Sequence, residues 1–143
     1  MRVSPFGLTT WLLPNESQVM RFVLPIVLIL VAMIHALPVM GVLGATKLSQ
    51  LYGINVDDPS LELLLRHRAV LFGLLAGFLV YAAFRPEMRL AGLIAGFVSV
   101  GSFLALAQSA TNLTAGVTTV VRADWVALAL LGVGAVAYVI HRE

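Results

Sequence analysis

Four long apolar runs divide the chain, at residues 22–46, 61–84, 90–108 and 120–140, with charged and turn-forming residues gathered between them. Each run is close to the roughly 20 residues that an α-helix needs to cross about 30 Å of hydrocarbon at ~1.5 Å per residue. The pattern predicts an all-α fold: an integral membrane four-helix bundle in up-down-up-down order, with helices at about 22–46, 59–84, 88–108 and 120–141. The first run follows Arg21 and precedes Gly44-Ala45, as a signal peptide would. Leu43 stands where cleavage wants a small residue, however, and the run is long, so a retained helix is expected.

The second run is the most informative. Its uncharged part, 69–84, is too short to span a bilayer, so the helix must recruit residues upstream. Asp58-Pro59 supplies a start, with Asp as N-cap and Pro at the first helical position. Glu62, Arg66, His67 and Arg68 then become helical. Arg85-Pro86-Glu87 makes a tight hairpin, and a Thr-rich loop around 109–119 joins the last two helices. Residues 1–19 differ in texture, with Pro5, Gly7, Pro14 and Asn15, and read as an arm or as an extension ahead of a chain starting at Met20. The remainder, 20–143, is one domain.

Composition agrees with lipid as the solvent: 60% of the 143 residues are hydrophobic and 11% charged, too little polar surface for a soluble globule. The absence of cysteine excludes disulfides, thiolate metal sites and dithiol redox chemistry. The net charge of +2 sits at the ends of apolar runs and forms no basic stripe for nucleic acid. Arg2, Arg21, Arg85, Arg89 and Arg142 share one side; Lys47, Arg66, Arg68 and Arg122 share the other. That balance favours both termini in the cytoplasm. Ala69, Gly73 and Gly77 on helix two and Gly92, Gly96 and Ser99 on helix three form small-residue faces expected to meet across the hairpin. Trp125 and Tyr138 read as interfacial anchors.

Ionisable groups inside a membrane are costly, and each is a candidate for function. Glu62 and Arg66 are spaced for a helical ion pair, with Arg66 on the small-residue face and so expected to point inward. An exposed pair above the membrane is the plainer alternative. Arg68 shares another face with Phe72 and reads as a snorkelling residue. His35 lies three residues before Pro38, whose missing N–H leaves the Ile34 carbonyl without its donor. It either bonds to a neighbouring helix or handles a proton or ligand. Asp124 is either a dipole-stabilised residue at a helix start or part of a site. The functional expectation is one cavity lined by His35, Glu62, Arg66 and Asp124, with His35 and Glu62 moving protons and Arg66 and Asp124 holding a ligand. No cofactor or metal is assigned; a haem held by His35 and His67 is disfavoured because the two point in different directions. Gly132-Val-Gly134-Ala-Val-Ala137 fits a dinucleotide pattern without the strand that such a motif needs. Ser99 lacks the first glycine of a nucleophile elbow.

The runs from His35 to Gly44, Leu51-Tyr-Gly53, Leu64 to Gly73, Ala82 to Pro86 and Ala123-Asp-Trp125 resemble a family of small uncharacterised bacterial four-helix inner-membrane proteins. The resemblance covers nearly everything after Met20 and implies a multi-pass protein of the bacterial inner membrane, surrounded by membrane lipids. Some members of that family carry the label phosphopantetheine adenylyltransferase, a soluble nucleotidyltransferase activity. This chain has neither its Thr-x-Gly-His-type phosphate site nor strands to hold one. More distantly the layout is similar to DoxX-type membrane proteins, which share no single activity. Three functions compete: a pocket that binds or transforms a lipophilic small molecule, a structural or accessory subunit of a larger complex or homo-oligomer, and an enzyme like the membrane glutathione transferases. Val70, Leu71 and Phe72 stand where the last would want polar residues.

Overall fold

A computed structural model describes residues 16–140, with side-chain surroundings from Phe22 onward. Residues 1–15 lie outside it, and with them most of the expected N-terminal arm; Glu16 to Val19 belong to the first helix. The described residues form five α-helices: α1 (Glu16–Ala36), α2 (Ala45–Tyr52), α3 (Pro59–Phe84), α4 (Arg89–Gln108) and α5 (Ala115–Ile140). Four segments are long and apolar enough to cross a membrane: Phe22–Leu43, Pro59–Phe84, Pro86–Gln108 and Ala115–Ile140. The chain is a polytopic all-α bundle. Its outward side chains suit lipid, with Leu63, Leu74, Phe84 and Leu106 each about two-thirds exposed.

The first span does not run as one α-helix to residue 46. It stops at Ala36 and winds more tightly through a 3-10 segment, Leu37–Leu43. Pro38 explains the change, since its ring and missing N–H break the α-helical ladder at Ile34. Gly44, at φ 115°, then turns the chain into α2. This short helix had no counterpart in the four expected spans. It buries Leu48 and Tyr52, which join Val56 in a small second core against Leu65, Val117 and Val120. Gly53, left-handed at φ 64°, closes α2 by donating its N–H to the Ser49 carbonyl at 2.8 Å.

Asp58 caps α3: its side chain accepts from the Ser60 N–H at 2.7 Å, and Pro59 takes the first position. The Ser60 and Leu61 backbone N–H groups hold the Asp58 carboxyl below the usual carboxylate range. A 3-10 turn, Pro86–Met88, leads into α4. α5 begins at Ala115, five residues ahead of the expected start. Thr114 sets that start, accepting from the Val117 N–H at 3.2 Å while its hydroxyl donates to the Tyr52 carbonyl. The end of α2 and the start of α5 are thereby tied together.

α1 packs most extensively on α3 and α5, α4 packs on α5, and the α3–α4 seam is looser. Leu28, Val31, Leu79, Val100 and Leu131 fill the centre and are fully buried. The small-residue faces do not meet as expected. A side chain at Gly96 would strike Leu131 of α5, and one at Gly92 would strike Ala82 of α3 and approach Leu28 of α1. Gly73 faces Val39 of the 3-10 segment, and Gly77 faces open space. Of the expected face of α3, Ala69 is buried, and the rest of the inward face is Ala76, Leu79, Ala82 and Ala83. Tyr138 packs against the main core, and Trp125 sits 54% exposed, ten residues into α5, deeper than an interfacial anchor.

Candidate functional site

One polar side chain from each spanning segment reaches the same depth. Arg68 and Asp124 stand nine residues beyond Pro59 and Ala115, the first residues of α3 and α5. Ser99 stands nine before Gln108, the last of α4, and His35 eight before Leu43, the end of the first span. All four ends lie on the side that carries α2, because the spans alternate in direction. Nine residues of helix correspond to about 13 Å. The four groups therefore form a polar layer inside the apolar bundle, toward the α2 end.

His35 is 3% exposed, the one buried polar residue among the described side chains. Its Nδ1 lies 2.9 Å from the Val31 carbonyl one turn back, and its Nε2 lies 3.1 Å from Ser99 Oγ on α4. A carbonyl only accepts, so Nδ1 carries the proton; in the neutral ring Nε2 then accepts from the Ser99 hydroxyl. The loose α-helical end after Ala36 places the ring, and Phe72 of α3 supports it with ring centroids 5.7 Å apart. The bond to a neighbouring helix is the plainer of the two roles open to His35, and it leaves the ring on a cavity wall.

Arg68 is the arginine that enters the bundle. Its guanidinium carbon lies 5.0 Å from the Phe72 ring centre, 5.4 Å from Phe103 and 5.7 Å from Tyr52. Three such contacts, at about 0.5–1 kcal/mol each, offset much of the roughly 2.5–3.5 kcal/mol that an arginine costs at the middle of a membrane helix. The ring faces take up none of its five N–H groups in an ordinary hydrogen bond, and among the described residues none hydrogen-bonds to it or pairs with it within salt-bridge distance. Asp124 of α5 lies near enough to Arg68 to interact with its charge. Burial pushes the Tyr52 phenol up, against a weaker downward pull from Arg68.

Two cavities flank this layer. One, of about 420 Å³, lies under α2 between α1 and α5 and is lined by His35, Pro38, Tyr52, Phe72, Thr119 and Asp124 among others. The second, of about 470 Å³, lies on the α3–α4 seam and is lined by Arg68, Phe72, Ser99, Ser102, Phe103 and Leu106 among others. Phe72 is a wall of both, and the His35–Ser99 bond joins a residue of one to a residue of the other.

The structure brings His35 and Asp124 onto one cavity wall and leaves Glu62 and Arg66 outside it. Arg66 pairs with Glu62 at 3.5 Å with its side chain 49% exposed, and its Nε donates to the Val42 carbonyl at 3.0 Å. It serves the end of the first span, where the 3-10 segment leaves carbonyls without helical donors. Asp124 is not at a helix start, since α5 begins nine residues earlier. His67 is exposed on the outside of α3, away from His35. Among the described residues no group of three His, Cys, Asp or Glu side chains could hold a metal. Sequence reasoning missed Arg68 and Ser99 as members of one layer, for which their common distance from the helix ends was the signal available, and it missed Tyr52, which reaches Arg68 from the end of α2. No protein-family model, curated protein or solved structure matches the chain.

Proposed function

We propose that this polytopic membrane protein binds or transforms a lipophilic small molecule inside its bundle, with the polar layer of His35, Arg68, Ser99 and Asp124 as the recognition site. The observation that supports this reading is a cation held by three aromatic rings beside a cavity, with no hydrogen-bond or ion-pair partner among the described residues. Intramembrane charge is retained where it faces a partner or a pathway, and cavities of a few hundred Å³ with a few convergent polar groups suit small ligands. His35 and Asp124, on the neighbouring cavity, are the groups suited to handling a proton. Arg68 takes the ligand-gripping role first expected of Arg66.

The resemblance noted above favours the bacterial inner membrane. With Arg68 inside the bundle, the α2 end retains Lys47, Arg66 and Arg122, Arg85 and Arg89 lie at the other, and the sequence expectation that Arg2, Arg21 and Arg142 share their side favours both termini in the cytoplasm. A second reading, an accessory subunit or homo-oligomer, draws on Gly77, Gly101 and Gly132, where an added Cβ would meet nothing within 4 Å.

Native mass spectrometry of the detergent-purified protein separates the two. A discrete co-purifying molecule, lost in Arg68→Ala and His35→Ala and kept in Arg66→Ala, is the expected result. Identical bulk phospholipid from all four proteins, or a stoichiometric partner chain in its place, would sink the ligand reading.

A further inference from the structure

Resting on the ligand-binding reading, we infer that the cavity on the α3–α4 seam receives a lipophilic carboxylic acid, its carboxylate on Arg68 and its apolar part along α4. Arg68 is the one charged residue lining this cavity. Its two other polar residues have committed their protons: Ser102 Oγ donates to the Ser99 carbonyl at 3.0 Å, and Ser99 Oγ to His35. The donors on offer are therefore the guanidinium N–H groups, whose planar fork matches a carboxylate in two parallel bonds. Asp124 faces Arg68 electrostatically without an ion pair within 4.0 Å and lines the other cavity, so it does not occupy that fork.

The rest of the lining is apolar, with Phe72, Phe103, Leu106, Leu113 and Val117 its largest side chains. The rim runs from Leu106 on the outward face of α4, 71% exposed, to Leu113 in the loop after α4, 38% exposed, and the side chains between that rim and Arg68 are apolar. The ligand's source follows from that rim and from depth. Arg68 lies about 13 Å from the helix end, reached past hydrocarbon rather than through a polar funnel. A permanent anion such as a phosphate ester would carry its charge across that region at a cost of several kcal/mol. A carboxylic acid enters neutral and ionises beside the guanidinium, which favours its charged form, its proton passing to water at the end of the cavity that reaches Leu113 in the loop after α4. The site thus selects an acid that can shed its charge in transit, over both neutral amphiphiles and fixed anions.

The test is photolabelling of the full chain in nanodiscs with a diazirine-bearing palmitic acid, competed by palmitic acid, hexadecanol or hexadecyl phosphate. Expected is saturable labelling of the α4 peptide around Phe103 to Leu113, with palmitic acid competing about tenfold better than hexadecanol, a difference of about 1.4 kcal/mol. Hexadecyl phosphate should compete less well than palmitic acid. Arg68→Gln should remove the preference for acid over alcohol. Ala107→Phe, which fills the cavity and leaves the cation intact, should abolish labelling, and it keeps the test decisive if Arg68→Gln fails to fold. Equal competition by acid and alcohol in the wild type, stronger competition by the phosphate, or labelling unchanged by Ala107→Phe would each overturn the inference. Saturable labelling with equal competition would leave the broader ligand-binding reading standing. No saturable labelling would remove both.

Discussion

His35 and Ser99 illustrate how a polar pair inside a membrane bundle divides its duties. Hydrogen bonds between membrane helices average only about 0.6 kcal/mol and reach about 1.7 kcal/mol, because the unfolded chain in lipid also finds partners. A double-mutant cycle over His35→Ala and Ser99→Ala, followed by unfolding in mixed micelles, should therefore give a coupling of about 0.5–1.5 kcal/mol. His35→Ala alone should cost more, roughly 2 kcal/mol or above, since it also empties a buried volume against Phe72. A coupling near zero would mean that the bond contributes nothing and that the ring is held by packing alone. At this scale the sequence was half legible. His35 and Asp124 stood out because charge inside an apolar run is conspicuous, and both reach the cavity wall. Arg66 and Arg68 were exchanged, and the cause is physical. Ala69, Gly73 and Gly77 were taken to mark the inward face of α3; Ala69 is buried and Gly73 meets Val39, but Gly77 looks outward, and Ala76, Leu79 and Ala83 fill the rest of that face. Arg68 shares its side with Phe72, one turn on, and follows it inward.

Among the elements, α2 is the one that hydropathy could not reveal. Its eight residues, Ala45–Tyr52, are too few and too polar to register as a span. Its position is fixed by contacts from distant chain, above all at Gly116. A Cβ there would lie 2.6 Å from the Leu51 carbonyl oxygen and 2.6 Å from the Tyr52 carbonyl carbon, both of them backbone atoms that cannot swing aside. Gly116→Ala should therefore separate α2 from α5 and destabilise the protein by about 1–3 kcal/mol, the usual range for overpacking. Gly132→Ala, on the same helix with open space around it, should be neutral or stabilising by up to about 1 kcal/mol through helix propensity. Thermal unfolding of the two variants in one detergent checks the contrast. Similar behaviour would show that the α2–α5 junction is not tight. The early start of α5 escaped sequence reading for a related reason. Thr114 caps it and meets Tyr52 across 62 positions, a tertiary choice that no local signal in the Thr-rich loop records.

For the whole molecule, the polar layer has meaning only if the four spans alternate as drawn, since that alternation brings residues 35, 68, 99 and 124 to one depth. The cysteine-free chain makes this directly testable, because any introduced thiol is unique. Asp57 lies in the exposed connection between α2 and α3, and Glu87 in the exposed turn between α3 and α4. One span separates them, so they belong on opposite faces of the membrane. If the arginine-rich end faces the cytoplasm, an impermeant maleimide added to intact bacterial spheroplasts should modify Asp57→Cys and spare Glu87→Cys until the membrane is opened. The converse labelling would invert the protein and put the cavities near the cytoplasmic surface without disturbing the layer. Equal modification of both sites in sealed spheroplasts would break the alternation itself. Arg68 and Asp124 could then no longer share a depth with His35 and Ser99, and the bundle would have no common site to fill.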